Sequence, residues 1–449
     1  MLSLLSRSGR WAIASGSLSI LVLALVAAAC GGGEEEADGL ADVSLRPNAQ
    51  APIVVPAAAP IVIGVSAPLT GPDEAEGTED RDAVIVGVER WEERNGSQIK
   101  GHEIEVRAED DGCTEADITV QAAERLLRTQ GLVGVIGPSC SAGAQAAIPI
   151  YAQAGIVVIS GSATQTALTT SQPEGRFFFR TVYRNDLEGI LAGLFASVAI
   201  QVEKAYLIDD GELYGTDLAD AAQRALLEND VIVTRESVRR GMVDFGELAA
   251  KIVAENPDLV GYAGFNPEAA LFYRQLRDAG YTGIFGSVDA AASVPSFVEP
   301  VGPEAAEGVL FAGCALTLPG DFVAQFEDVH GHKPEASAFP AQYGDAVTIL
   351  LDAVAQVAVE QTDGSLTIDP AALRDAVRAT SLEGGLSGSF AFDENGDRIP
   401  RKGDVLSQVV DEALSSGNID IFVDFGLVPC QVQDGKLVNL LGPGAGQIR

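Results

Sequence analysis

Two short apolar runs that each break off into small hydroxylated residues limit what this chain can fold into more than any other feature. From Gly131 to Thr164 it reads GLVGVIGPSCSAGAQAAIPIYAQAGIVVISGSAT. Leu132 to Ile136 has the make-up of a buried strand and stops at Gly137-Pro138-Ser139-Cys140-Ser141, where a helix pattern begins. Ile156 to Ile159 is a second such strand and stops likewise, at Ser160-Gly161-Ser162-Ala163-Thr164. In open α/β sheets, ligands bind outside the carboxyl ends of the strands. Ser139, Cys140 and Ser141 on one strand end, with Ser162 and Thr164 on the next, offer hydroxyl and N–H donors there. The adjoining helix N-terminus adds a partial positive charge that suits a carboxylate. Taken alone, Ser141 also reads as a plain helix cap.

The strand and helix alternation extends in both directions. IVIGV from Ile61 is a strand, followed by a loop from Thr70 to Gly77 and a helix with Val84, Val88 and Trp91 on one face. HEIEVRAEDD is the next strand, and Ile118, Ala122 and Leu126 stripe the helix after it. Pro149 is expected to bend or interrupt the helix that follows Ser141. A second series starts near Asn185, with strands KAYLIDD, VIVTRES, LVGYAG and IFGSVD and a helix after Pro267. Helices around 322–329, 340–359 and 370–380 follow, then the turn FDENGDR and a strand-rich C-terminal segment. Repeated units of this kind imply parallel sheets covered on both faces. At 449 residues the chain can fill two cores. The expected fold is α/β, a two-lobed clamshell of doubly wound parallel sheets with several hinge crossovers. Its first lobe would take residues 61–182 and 316–388, and its second 183–315 and 389–449.

The N-terminus reads as a processing segment. Arg7 and Arg10 precede an apolar run from Leu18 to Ala29, and small residues lead into Cys30. Residues 1–29 thus resemble a bacterial lipoprotein signal peptide, with Cys30 as the lipidated first residue of an exported protein held on the outer face of the cytoplasmic membrane. An uncleaved anchor would export the body all the same. Residues 30–60, rich in Gly, Ala and Pro, read as a disordered tether. The formal net charge of −35 argues against nucleic acid as a partner, because its phosphates would be repelled. Of five cysteines, Cys113, Cys140, Cys314 and Cys430 remain once Cys30 carries lipid, an even number suited to an oxidising compartment. Four cysteines allow three pairings. Cys113 follows the strand that precedes the helix leading to the 132–136 strand, which points across the sheet edge to Cys140 and leaves Cys314 with Cys430.

Taken together, IVIGVSAPLTGP, NGSQIKGHEIEVRAEDDGC, the 131–168 stretch, FRTVYRND, LIDDGELYGTD, FNPEAALFYRQLRDAGYTG, QYGDAV and FDENGD carry a family likeness. From Ile61 to about Arg398 the chain resembles the type I periplasmic binding proteins of the leucine/isoleucine/valine-binding kind. The resemblance implies a monomeric receptor that closes on a free amino acid and docks on the permease subunits of an ABC importer. It also implies that Ser141 holds an α-carboxylate and that Ser162 and Thr164 meet the ammonium and carboxylate. Tyr214 would close over the ligand from the second lobe, and Asp289 would pair with the ammonium. Three positions depart from the family pattern. Glu76 stands where many relatives place an aromatic residue, Phe265 replaces a tyrosine, and Gly286-Ser287-Val288-Asp289 is one residue longer than usual. Glu76 is either a solvated loop carboxylate or a contact for a polar or cationic ligand tail.

Enzymatic chemistry has little to build on. Cys140 at a helix N-terminus is the best candidate nucleophile, and a disulfide would remove it. His102, His330 and His332 are the only histidines. Asp393-Glu394-Asn395-Gly396-Asp397 imitates the start of a calcium loop, but Arg398 takes the place of its essential glycine, and an Asn-Gly turn serves as well. No cofactor and no metal are expected. A sensor of the same fold would need a membrane partner to signal.

Overall fold

The computed structural model describes residues 49–171, 176–401, 403–404 and 406–441, so Cys30 and the expected signal peptide lie outside the described residues. Ile61–Ala67 pairs on one side with His102–Asp110 and on the other with Leu132–Ile136. Val157–Ser160 and Phe178–Arg180 follow outward, all parallel, and Gln98–Ile99 adds a short antiparallel edge. The second sheet repeats the scheme with Lys204–Asp209 between Ile232–Ser237 and Leu259–Ala263, then Ile284–Ser287 and Leu310–Phe311. Cys430–Gln433 and Lys436–Asn439 extend it as antiparallel strands. In chain order the parallel strands of both sheets lie 2-1-3-4-5, the doubly wound order with one switch point per sheet. Each sheet has its own apolar core. Val65, Val135, Ile159, Tyr343 and Leu350 fill the first, and Tyr206, Val260, Phe272, Phe285 and Phe297 the second.

Several expectations are corrected. The tether ends earlier than residue 60: Ile53–Val55 is a strand antiparallel to Leu366–Ile368, with Ile53 and Val55 buried. The first helix begins at Glu74, placing Glu76 in its first turn rather than in a loop, where a carboxylate is favoured by the helix dipole. The helix Ser141–Ala154 is not interrupted by Pro149. The carbonyl of Gln145, deprived of its partner by Pro149, lies on an exposed face where water can satisfy it. Residues 389–399 belong with the first lobe, in a separate three-stranded sheet whose Phe390, Phe392 and Ile399 join the first core. Gly388–Phe392 pairs with Ser381–Gly385, and Phe392 packs on Phe179 at 5.3 Å between ring centres. Finally, the C-terminal segment is not mainly strand, since Leu406–Ser416 is a helix whose Leu406, Val410 and Ala413 join the first core.

Candidate functional site

The doubly wound order leaves a crevice at each switch point, and the two crevices face each other. At the first, the chain leaves Leu132–Ile136 through Gly137, whose φ is 111° and where a Cβ would lie 2.1 Å from the Ser66 carbonyl oxygen, so only glycine fits. Ser139, Cys140 and Ser141 follow. The second crevice receives Tyr214 after Lys204–Asp209 and Phe265 and Asn266 after Leu259–Ala263; Asp289 follows the next strand. A cavity of about 60 Å³ between the lobes is lined by Glu76, Ser139, Cys140, Ser141, Ser162, Tyr214, Phe265 and Asp289 among others. Thr164 does not line it. Its Oγ1 is buried without a partner among the described residues, and its carbonyl accepts from the N–H of Asn185 at 2.8 Å.

On the first lobe, the cradle is held from behind. The Cys113–Cys140 disulfide ties the 110–116 turn to the start of the helix Ser141–Ala154, and Cys314 is joined to Cys430. Ser141 Oγ accepts from the N–H of Gln165 at 3.2 Å, which leaves the hydroxyl proton free to donate. The N–H groups of that helix's first turn have no intrahelical acceptor. Ser162 Oγ donates to the Ser139 carbonyl at 2.8 Å, and the Tyr343 hydroxyl lies 2.9 Å from Ser139 Oγ and 2.7 Å from Ser162 Oγ. Ser139 Oγ also donates to Asp80 at 2.8 Å, and Ser337 Oγ donates to the other Asp80 oxygen at 2.7 Å. Burial pushes the Asp80 carboxyl up to about 7 in spite of those bonds.

On the second lobe, Asp289 gathers the donors. The hydroxyls of Tyr214 and Tyr183 each donate to one of its oxygens, and the Ala290 N–H adds a third bond at 2.7 Å. Glu188 Oε1 accepts from the Asp289 N–H at 2.9 Å. Burial pushes both carboxyls up, Glu188 far above the usual carboxylate range with the Asp289 charge beside it, while the three donors on Asp289 offset part of the rise and make it the member that ionises first. The lobes also meet directly. Arg240 donates to both oxygens of Asp73 at 2.6 Å while its guanidinium lies 4.0 Å above the Phe265 ring, and the Thr166 N–H donates to Asp217 at 2.8 Å.

Nothing in the pattern of the sequence singles out Asp73, Asp80, Asn266, Arg240 or Tyr343. Tyr343 lies inside the QYGDAV segment and Asn266 inside FNPEAALFYRQLRDAGYTG, and membership of those family-like segments is the available signal. The alternative chemistry is absorbed elsewhere. Cys140 is bridged, and His102 bonds the carbonyls of Ala59 and Gly364 through its two ring nitrogens at 2.7 and 3.0 Å. His330 and His332 approach Asp82 at 3.5 and 3.7 Å, away from the cavity lining. Asp397 of the calcium-like turn is held by Arg180 at 2.7 Å and Arg184 at 3.2 Å. Among the described residues, no cluster of His, Cys, Asp or Glu could hold a metal ion.

A family profile described as "Periplasmic binding protein" matches residues 60–411. The chain belongs to that family. Periplasmic binding proteins are extracytoplasmic solute-binding proteins, not enzymes, and no helix among the described residues is long and apolar enough to cross a membrane. An amino acid binding protein of Pseudomonas aeruginosa is 32% identical over 241 residues, covering 53% of this chain and 64% of that protein. The Leu/Ile/Val-binding protein of Escherichia coli K12 is 28% identical over 306 residues, 67% of this chain and 78% of that one. Among solved structures, the branched-chain amino acid transporter substrate binding protein LivJ of Streptococcus pneumoniae, in complex with isoleucine, superposes with a TM-score of 0.68. Its identity is 20%, over 85% of this chain and 99% of that one, a likeness of fold.

Proposed function

We propose that this periplasmic binding protein is the solute receptor of an ABC importer and takes a small free amino acid into the cleft between its lobes. The observation that carries the reading is the opposition of charge preferences across the cavity. Ser141 and a helix N-terminus offer donors on one lobe, and the Asp289 carboxylate stands with Tyr214 on the other. A buried zwitterion needs both, because an unpaired buried charge is costly. The amino acid specificities in the names of the relatives support the same class of ligand. Closure would proceed by hinge motion of one lobe against the other, the movement by which periplasmic binding proteins enclose their ligands. In this reading Cys30 carries lipid, the protein acts as a monomer at the outer face of the membrane, and the closed form docks on permease subunits.

The test is calorimetric titration of the protein, freed of carried-over ligand, with a panel of α-amino acids. One-to-one binding is expected, and Ser141→Ala and Asp289→Asn should each weaken it at least tenfold, by removing a charge-assisted bond worth about 1.5–3 kcal/mol. If no α-amino acid binds, or if binding is indifferent to both substitutions, the reading falls.

A further inference from the structure

The wall of the cavity away from the cradle sets several hydrogen-bond acceptors among apolar residues such as Pro68, Ala338 and Phe339. Asp73, Glu76, Gly77 and Asp80 come from the first lobe, and Phe265 and Asn266 from the second. Two of the carboxyls are already served: Asp73 receives Arg240 on both oxygens, and Asp80 receives the hydroxyls of Ser139 and Ser337. Two acceptors are not. Asn266 is 5% exposed, and its Nδ2 donates to the Ala291 carbonyl at 3.3 Å, which fixes the amide so that Oδ1 is the acceptor left over. That Oδ1 has no partner among the described residues, and neither does the buried Oε1 of Glu76. The Phe265 ring offers no donor of its own; Tyr214 packs on it at 4.8 Å between centres, and Arg240, which covers it at 4.0 Å, gives Nη2 to Asp73 and keeps a buried Nη1 with no partner among the described residues.

Building on the amino acid reading above, we infer that the cleft selects an amino acid whose side chain ends in a cationic hydrogen-bond donor, received by Glu76 Oε1 and Asn266 Oδ1. An aliphatic tail would seal both oxygens away from water with nothing to bond, whereas an ammonium supplies donors to both and neutralises Glu76. Burial pushes the Glu76 carboxyl up, partly offset by the Ser296 hydroxyl and the nearby Arg240 charge. Sites built to bond a polar group discriminate strongly against analogues that lack it. Glu76 is then a specificity-determining residue, in the position where the family resemblance leads one to look for an aromatic ring.

Lysine and norleucine have side chains of the same length that differ by the terminal ammonium, so together they isolate this contact. Titration of the full chain, purified with its disulfides intact, is expected to give lysine or ornithine at least about 100-fold tighter binding than norleucine or leucine. Glu76→Gln should lower the affinity for the basic amino acid at least tenfold, and Glu76→Leu should shift the preference toward norleucine, with thermal scans confirming that both variants fold. Asn266→Asp should strengthen binding of the basic amino acid, giving a readout of opposite sign. Leucine or norleucine binding as tightly as lysine would overturn the inference and leave the amino acid reading in place. Glutamine binding in preference to both would overturn the requirement for a cation, and failure of every amino acid to bind would remove the reading on which the inference rests.

Discussion

Asp80 sits where the cradle meets the first helix, and the fold holds its carboxyl at about 7 by burying it between two hydroxyl donors. An amide of the same shape has no charge to desolvate. Asp80→Asn is therefore expected to stabilise the protein by about 1–3 kcal/mol at pH 8, with the gain vanishing near pH 5, as read from thermal unfolding at the two pH values. At this scale the sequence is informative wherever a residue follows directly on a strand end. Tyr214 and Asp289 are nominated by the family resemblance, whereas Ser139, Ser141 and Ser162 can be nominated because the end of an apolar run fixes where the chain must turn. Thr164 is nominated by the same logic yet lies behind the cavity, because the chain recedes toward Asn185 beyond Ser162. Tyr343 and Arg240 escape nomination, since one lies on a helix and the other in a loop, and each reaches the site only through the way distant segments pack.

Among the elements, the strand Ile53–Val55 is the least legible. Its three residues, followed directly by Pro56, are too few to show a period, and their burial depends on Leu366–Ile368, which lies far along the chain. Removing residues 49–60 would expose Leu366 and Ile368 as well as delete two buried side chains. A chain starting at residue 61 is expected to lose about 3–5 kcal/mol relative to one starting at residue 49, measurable as a lower denaturant midpoint. The central parallel strands, such as Ile61–Ala67 and Leu132–Ile136, are legible because both of their faces are buried. The Cys113–Cys140 bridge closes a sequence separation of 27 residues, so Cys113→Ser with Cys140→Ser should cost about 3.5 kcal/mol by the loop-entropy argument. The same pair should weaken ligand binding by loosening the turn before Ser141, which titration would detect and a purely structural bridge would not produce.

For the molecule as a whole, burial dominates the response to acid. It pushes Glu79, Asp80 and Asp210 up to about 7 and Asp111 up to about 6. Between about pH 4 and 7 the native state keeps protons that the unfolded chain has released, so this stability is present at low pH and is lost as pH rises through 7. The Asp397 carboxyl, held low by Arg180 and Arg184 against burial, acts in the opposite sense, but only as pH falls below its ordinary value of 3.8. The melting midpoint is expected to rise on going from pH 7.5 to 5.5, and a fall would contradict the burial argument. The Arg240–Asp73 pair joins the lobes directly, so Asp73→Ala should weaken amino acid binding at least tenfold and enlarge the radius of gyration of the liganded protein in small-angle scattering. The two-sheet plan is legible in the strand order, whereas this cross-cleft pair is not, because neither partner belongs to a repeating pattern. The bridge behind the cradle also gives the site a history. In a reducing cytoplasm Cys113 and Cys140 stay thiols, and the turn that aims Ser141 is left unfastened. A newly made chain would thus complete its binding site only after export, and solute inside the cell would meet an unfinished receptor.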